Sequence, residues 1–99
     1  MIVIAGRVKI KPEVREDAIK VAVTMANASQ AEAGCIAYRF YADLEAPNTF
    51  FIFEHWESEA ALKAHFETPH MAEFRNHLPR LLAEDINIQR YDVSSVGNA

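Results

Sequence analysis

The chain predicts one α+β domain: a four-stranded antiparallel sheet with helices on one face. Three observations predict it. Four short segments read as strands, three by apolar residues in alternation and Thr49 to Glu57 by its aromatic content. Segments with helical periodicity fall between the first and second strands and between the third and fourth. The resulting order, β-α-β-β-α-α-β, fits a split β-α-β arrangement.

The first strand runs from Ile2 to Ile10, with Ile2, Ile4, Val8 and Ile10 alternating and Gly6 interrupting them. Pro12 suits the first turn of a helix, where a missing N–H costs nothing. From Glu13 to about Glu32, Val14, Ala18, Val21, Ala22, Met25 and Ala26 form one helical stripe. Gly34 is the expected stop. The second strand spans Cys35 to Asp43, with Ile36, Tyr38 and Phe40 expected on one face. Leu44 to Asn48 makes the turn of a hairpin into a third strand, Thr49 to Glu57.

Ser58 is a good N-cap and Glu59 is favourable in the first turn, so a short helix follows to about Glu67. Thr68 caps a second helix that opens on Pro69. Its stripe is Met71, Phe74, Leu78, Leu81 and Leu82, and Pro79 inside it is expected to kink it. Asp85 to Val93 is the last strand, with Ile86 and Ile88 on one face. Residues 1–93 thus form the domain, and the small, polar Ser94 to Ala99 is expected to be a flexible tail.

Helices cover only one face of such a sheet. The other face still carries Val3, Ala5, Tyr41, Phe51 or Phe50 according to register, Tyr91 and Val93. An apolar patch of that size implies a partner. The expectation is a homodimer packed sheet to sheet, isologous like most dimers.

Composition excludes several functions. Ten basic against 14 acidic residues give a net charge of -4, which argues against a nucleic-acid surface and gives an anionic membrane no purchase. No stretch approaches the roughly 20 apolar residues of a membrane span. The N-terminus lacks the basic-then-apolar pattern of a secretory signal. Cys35 is the single cysteine, so no internal disulfide forms and a cytoplasmic location is expected. No phosphate-binding loop, dinucleotide fingerprint or nucleophile elbow is present.

The segment Phe51 to His70 carries most of the chemical signal. Alternation places Glu54 and Trp56 on one face of the third strand, and Phe53 and His55 on the other. In the following helix Ala61, Leu62, His65 and Phe66 share an arc. Leu62 faces the sheet, so His65 lies on or near the buried side. An imidazole there, near an indole and a carboxylate, is a candidate general base at neutral pH; the competing reading is a half-buried helix residue bonded to backbone. His70 follows Thr68-Pro69 and is placed to look into a pocket. His70, Glu73 and His77 share a helix face but lack the tight histidine pair of helix-borne zinc sites, so no metal is assigned. Cys35 reads as a small buried hydrophobe. Tyr38 is either a pocket phenol or a core aromatic. Arg39 and Arg75 are candidate anchors for an anionic oxygen, or plain surface charges.

Taken together, Gly34-Cys35 with Tyr38, the Asp43 to Asn48 hairpin, Glu54-His55-Trp56-Glu57-Ser58, Ala64-His65 and Thr68-Pro69-His70 resemble the antibiotic biosynthesis monooxygenase domain family. Within it, the likeness is to small bacterial quinol-monooxygenase-like proteins, and it covers nearly the whole chain. The resemblance implies a ferredoxin-like fold that dimerises through its sheets into an α+β barrel. It implies oxidation of a small phenol or hydroquinone by O2 without cofactor: a base takes the phenolic proton, the anion reduces O2, and a peroxy intermediate collapses to a quinone. Carried onto this chain, His65 is the base or orienting group, Trp56 acts beside it, and Arg75 is the oxyanion partner. Tyr38, Glu54, Phe66 and His70 line the substrate pocket.

Two other groups of relatives compete. Heme-degrading relatives place an Asn on the first strand, a Trp in the helix after the third strand and a His one helix later; this chain has Gly6 or Arg7, His65 and Arg75 there. Relatives that isomerise a small carbonyl metabolite, as in autoinducer-2 breakdown, share the His65 and Thr68-Pro69-His70 positions. A non-catalytic dimer that binds a small ligand in the same pocket is the remaining alternative.

Overall fold

The computed structural model describes every residue from Met1 to Ala99. Four strands, β1 (Ile2–Lys9), β2 (Cys35–Ala42), β3 (Thr49–Trp56) and β4 (Asn87–Asp92), form one antiparallel sheet in the order β2-β3-β1-β4. Three helices join them: α1 (Arg15–Gln30), α2 (Glu59–Phe66) and α3 (Pro69–Leu81). This is the ferredoxin-like α+β fold.

Alternation in β1 and β3 decides which residues reach the helices. Ile2, Ile4 and Val8 of β1 are buried, as are Phe50, Ile52, Glu54 and Trp56 of β3. They meet Ala18, Met25 and Ala26 of α1 and Leu81 of α3. The register pairs Gly6 with Ile52 on one side and Ile88 on the other. A Cβ on Gly6 would stand 2.2 Å from the Asn87 carbonyl oxygen, so only glycine admits β4 this closely. The register also turns Phe51 outward and Phe50 inward. Tyr41, Phe51 and Tyr91 stand exposed on the uncovered face.

Several boundaries differ from the sequence expectation, each for a local reason. Pro12–Val14 forms a 3-10 turn, and Val14 has φ -116° and ψ 15°, outside the helical region, so the α-helix begins only at Arg15. That helix ends at Gln30, which leaves Glu32 in the turn leading to β2. In β2 the register shifts between Cys35 and Ala37. The irregularity turns Ile36 out to 49% exposure and packs Cys35 against the core in its stead, so Ile36 does not share the inner face of Tyr38 and Phe40. The last strand begins at Asn87 rather than Asp85. Beyond Arg7 the edge of β1 is taken by the end of α3, where Ala83 N–H donates to the Lys9 carbonyl and Ile10 bridges Leu82. Ile86 therefore has no strand partner and is exposed. Pro79 lies inside α3, which continues to Leu81. Residues 93–99 carry no regular structure.

Candidate active site

Four pieces of chain meet under α2: the inner faces of β2 and β3, the turn before β2, and the first turn of α3. Ser58 caps α2 by accepting from the Ala61 N–H at 3.1 Å. Helical spacing then buries Leu62 and His65 together. Gly34 lets the turn before β2 approach this helix. It has φ +81°, which glycine adopts without cost, and a Cβ there would lie 2.5 Å from the Ala61 Cβ. The Gly34 carbonyl accepts from the Glu57 N–H at 2.8 Å. Thr68 fixes the elbow between α2 and α3: its hydroxyl donates to the His65 carbonyl at 2.8 Å and accepts from the Met71 N–H at 3.2 Å.

These constraints bring His65 against Trp56, with ring centroids 4.6 Å apart, and near Tyr38 at 5.5 Å. Trp56 and His65 are 0% and 1% exposed. The His65 Nδ1 stands 2.7 Å from Glu32 Oε2, and the His70 Nε2 stands 2.7 Å from the same oxygen. One carboxylate thus joins a buried imidazole to a partly exposed one. A carboxylate accepts only, so this arrangement assigns the Nδ1 proton to His65 and leaves Nε2 as its basic atom.

Burial lowers the His65 pKa below its ordinary 6.5, and the hydrogen bond to Glu32 opposes that effect. The ring is therefore neutral at pH 7 and ready to accept a proton. Trp56 Nε1–H donates to Glu54 Oε1 at 3.0 Å. Burial pushes Glu54 from 4.5 up to about 7, with the Trp56 bond pulling the other way and the Glu32 charge adding to the rise. A buried acid lifted to about 7, beside a buried imidazole whose pKa burial lowers, is a physical mark of a functional site. Burial likewise drives the Tyr38 phenol well above its usual range and raises the Cys35 thiol to about 11, so neither is a nucleophile near neutral pH.

Of the residues singled out by sequence, Tyr38, Glu54, Trp56, His65 and His70 converge. Arg75 does not join them: it is exposed on α3, and its charge is the smallest of the five influences on His65. Phe66 is adjacent to His65, with centroids at 5.8 Å, yet 42% exposed. His55 lies on the outer face, and its buried Nε2 has no partner. His77 sits by Glu73 at 3.6 Å and by Arg80, which pairs with Asp17.

Sequence reasoning missed Glu32, which it read only as a helix end. One signal was available. An acidic side chain at a helix C-terminus opposes the helix dipole, so its presence there asks for another partner. A second difference concerns space. The indole and imidazole pack directly together, and neither lines any of five surface cavities of about 110–510 Å³. The nearest open space that touches the cluster is a groove of about 200 Å³ between α1 and α3, walled by Met25, Phe74, Lys20, Thr24 and His70.

Residues 1–77 match the family model for antibiotic biosynthesis monooxygenase. An uncharacterised protein of Synechocystis is 42% identical over 93 residues, which are 94% of this chain and 63% of that protein, so the chain spans under two thirds of that relative's length. YcnE of Bacillus subtilis, whose name proposes a monooxygenase, is 35% identical over 95% of this chain and 99% of its own. A crystal structure from Deinococcus radiodurans, of a protein proposed to be an antibiotic biosynthesis monooxygenase, superposes with TM-score 0.92 at 27% identity, covering 100% of this chain and 98% of that one. With the fold, the residues matched and these likenesses in agreement, the chain belongs to the antibiotic biosynthesis monooxygenase family.

Proposed function

We propose that this chain is a monooxygenase that oxidises an electron-rich phenol or hydroquinone with O2, using His65 as the base. The observation that carries this reading is the Glu32–His65 contact at 2.7 Å. It supports a neutral imidazole, oriented through Nδ1, with its Nε2 free in a site from which the 1% exposure of the ring excludes water.

The reaction balances as follows. His65 takes the phenolic proton, and the resulting anion is electron-rich enough to donate to O2. One oxygen atom bonds to a ring carbon as a peroxide. The O–O bond then breaks as the same ring carbon gives up its hydrogen as a proton; that oxygen stays as the new quinone carbonyl, and the other leaves as water, carrying the carbon's proton and the one held by His65. The imidazolium formed in the first step is stabilised by Glu32, as in other base–carboxylate pairs. His70 shares that carboxylate and also walls the groove between α1 and α3, which makes the groove the approach favoured for substrate. Trp56, with Tyr38 beside it, forms the apolar floor, and Glu54 holds the indole. Nothing places Arg75 at the reacting oxygen, so anion stabilisation falls to the two imidazoles.

The active form is proposed to be a cytoplasmic homodimer joined through the outer sheet face, where Phe51, Tyr41 and Tyr91 are exposed. The test is O2 uptake during aerobic incubation with hydroquinones, native protein against His65→Ala. Uptake that the variant loses supports the assignment. Uptake that is unchanged removes His65 as base. Absence of uptake with turnover of a small carbonyl compound favours isomerisation, which needs the same base.

A further inference from the structure

We propose that Glu32, His65 and His70 form a binding site for a divalent transition-metal ion. The inference does not rest on the oxidative reading above and describes an alternative state of His65, in which an ion replaces the Nδ1 proton and Nε2 carries the N–H; it rests on how three side chains from separate parts of the chain are brought together.

The three ligand atoms, Glu32 Oε2, His65 Nδ1 and His70 Nε2, all lie within 4.8 Å of one another. Both imidazole nitrogens point at the same carboxylate oxygen at 2.7 Å. Their backbones are held independently of any side-chain contact between them. Gly34 brings the turn carrying Glu32 against α2, and Thr68 clamps the elbow that turns His65 and His70 toward each other, with rings 6.0 Å apart. Donors held by the scaffold in this way are what a metal site requires.

The donor set selects the ion. Two imidazoles and one carboxylate suit zinc, cobalt or ferrous iron; calcium and magnesium prefer oxygen alone. Metal–ligand bonds of about 2.0–2.2 Å set donors about 3.0–3.4 Å apart. The two 2.7 Å contacts therefore open by a few tenths of an ångström, and His70 closes on His65. His70 supplies that movement: its side chain is 25% exposed, against 1% for His65. Three protein donors leave coordination positions free, as catalytic rather than structural sites do. The groove beside His70 offers access to them, and the ligand class that fits an open position on such an ion is an anionic oxygen, a phenolate or enolate.

The full-length protein, stripped with a chelator, is titrated with Zn2+ by calorimetry and with Co2+ by visible absorption. The expected result is one ion per chain, with binding weakened at least ~10-fold in both Glu32→Gln and His70→Ala. His70→Ala removes a partly exposed side chain and is the variant least apt to disturb folding; far-ultraviolet circular dichroism checks that. His77→Ala, on the wall of the same groove but in a separate histidine–carboxylate pair and not among the three donors, is the control and leaves binding unchanged. No saturable binding up to about 1 mM, binding that survives both ligand variants, or binding lost with His77 each overturns the site.

Discussion

Glu54→Gln tests the electrostatics of the buried cluster directly. Glu54 is 7% exposed, and burial raises its carboxyl from 4.5 to about 7. The native state therefore keeps this proton longer than the unfolded chain does. Stability from this group is fully present below about pH 4.5, falls as pH rises, and levels off above about pH 7. At about 1.4 kcal/mol per pH unit of displacement, the total loss is about 3 kcal/mol. The glutamine amide cannot ionise, and its carbonyl oxygen can still accept from Trp56 Nε1–H. Urea unfolding of both proteins from about pH 4 to 8, at one protein concentration, gives two profiles. Their difference is expected to move by about 3 kcal/mol in favour of the variant across the window set by the Glu54 displacement. His65 runs the other way: its lowered pKa costs stability as pH falls below 6.5. That contribution is present in both proteins and cancels in the difference. Two parallel profiles would show that Glu54 ionises freely in the folded protein and would refute the reasoning.

Two further outcomes follow from the geometry. Gly34→Ala places a side chain at φ +81° and against the Ala61 Cβ; the backbone strain alone is expected to destabilise the fold by about 1–3 kcal/mol, and native stability in that variant would disprove the role given to Gly34. Sheet-face pairing predicts a solution mass of twice the 11.2 kDa chain by light scattering, reduced to the single-chain mass by Phe51→Asp; a native protein of single-chain mass at micromolar concentration rejects the dimer.

The sequence was legible wherever local chemistry repeats. Alternation alone put Glu54 and Trp56 on the inner face of β3, and helical spacing put Leu62 and His65 on the buried arc of α2. Ser58 and Thr68-Pro69 marked both helix starts because an N-cap oxygen and a proline at the first position act within one turn. The failures were of another kind. Ile36 was misplaced because a register shift depends on the partner strand. The start of β4 was misplaced because the chain leaving α3 competes for the same edge of β1.

What the sequence determined by itself was the element order, the inward residues of β1 and β3, and the candidate histidine, since each follows from periods of two or 3.6 residues. Only the tertiary structure decided that Glu32, 33 positions from His65, is that histidine's partner. It also decided that one oxygen of Glu32 serves two imidazoles, and that indole and imidazole pack against each other with centroids 4.6 Å apart. Such pairings depend on how the turn at Gly34 and the elbow at Thr68 direct the chain through space, and no local repeat encodes a distance between segments so far apart.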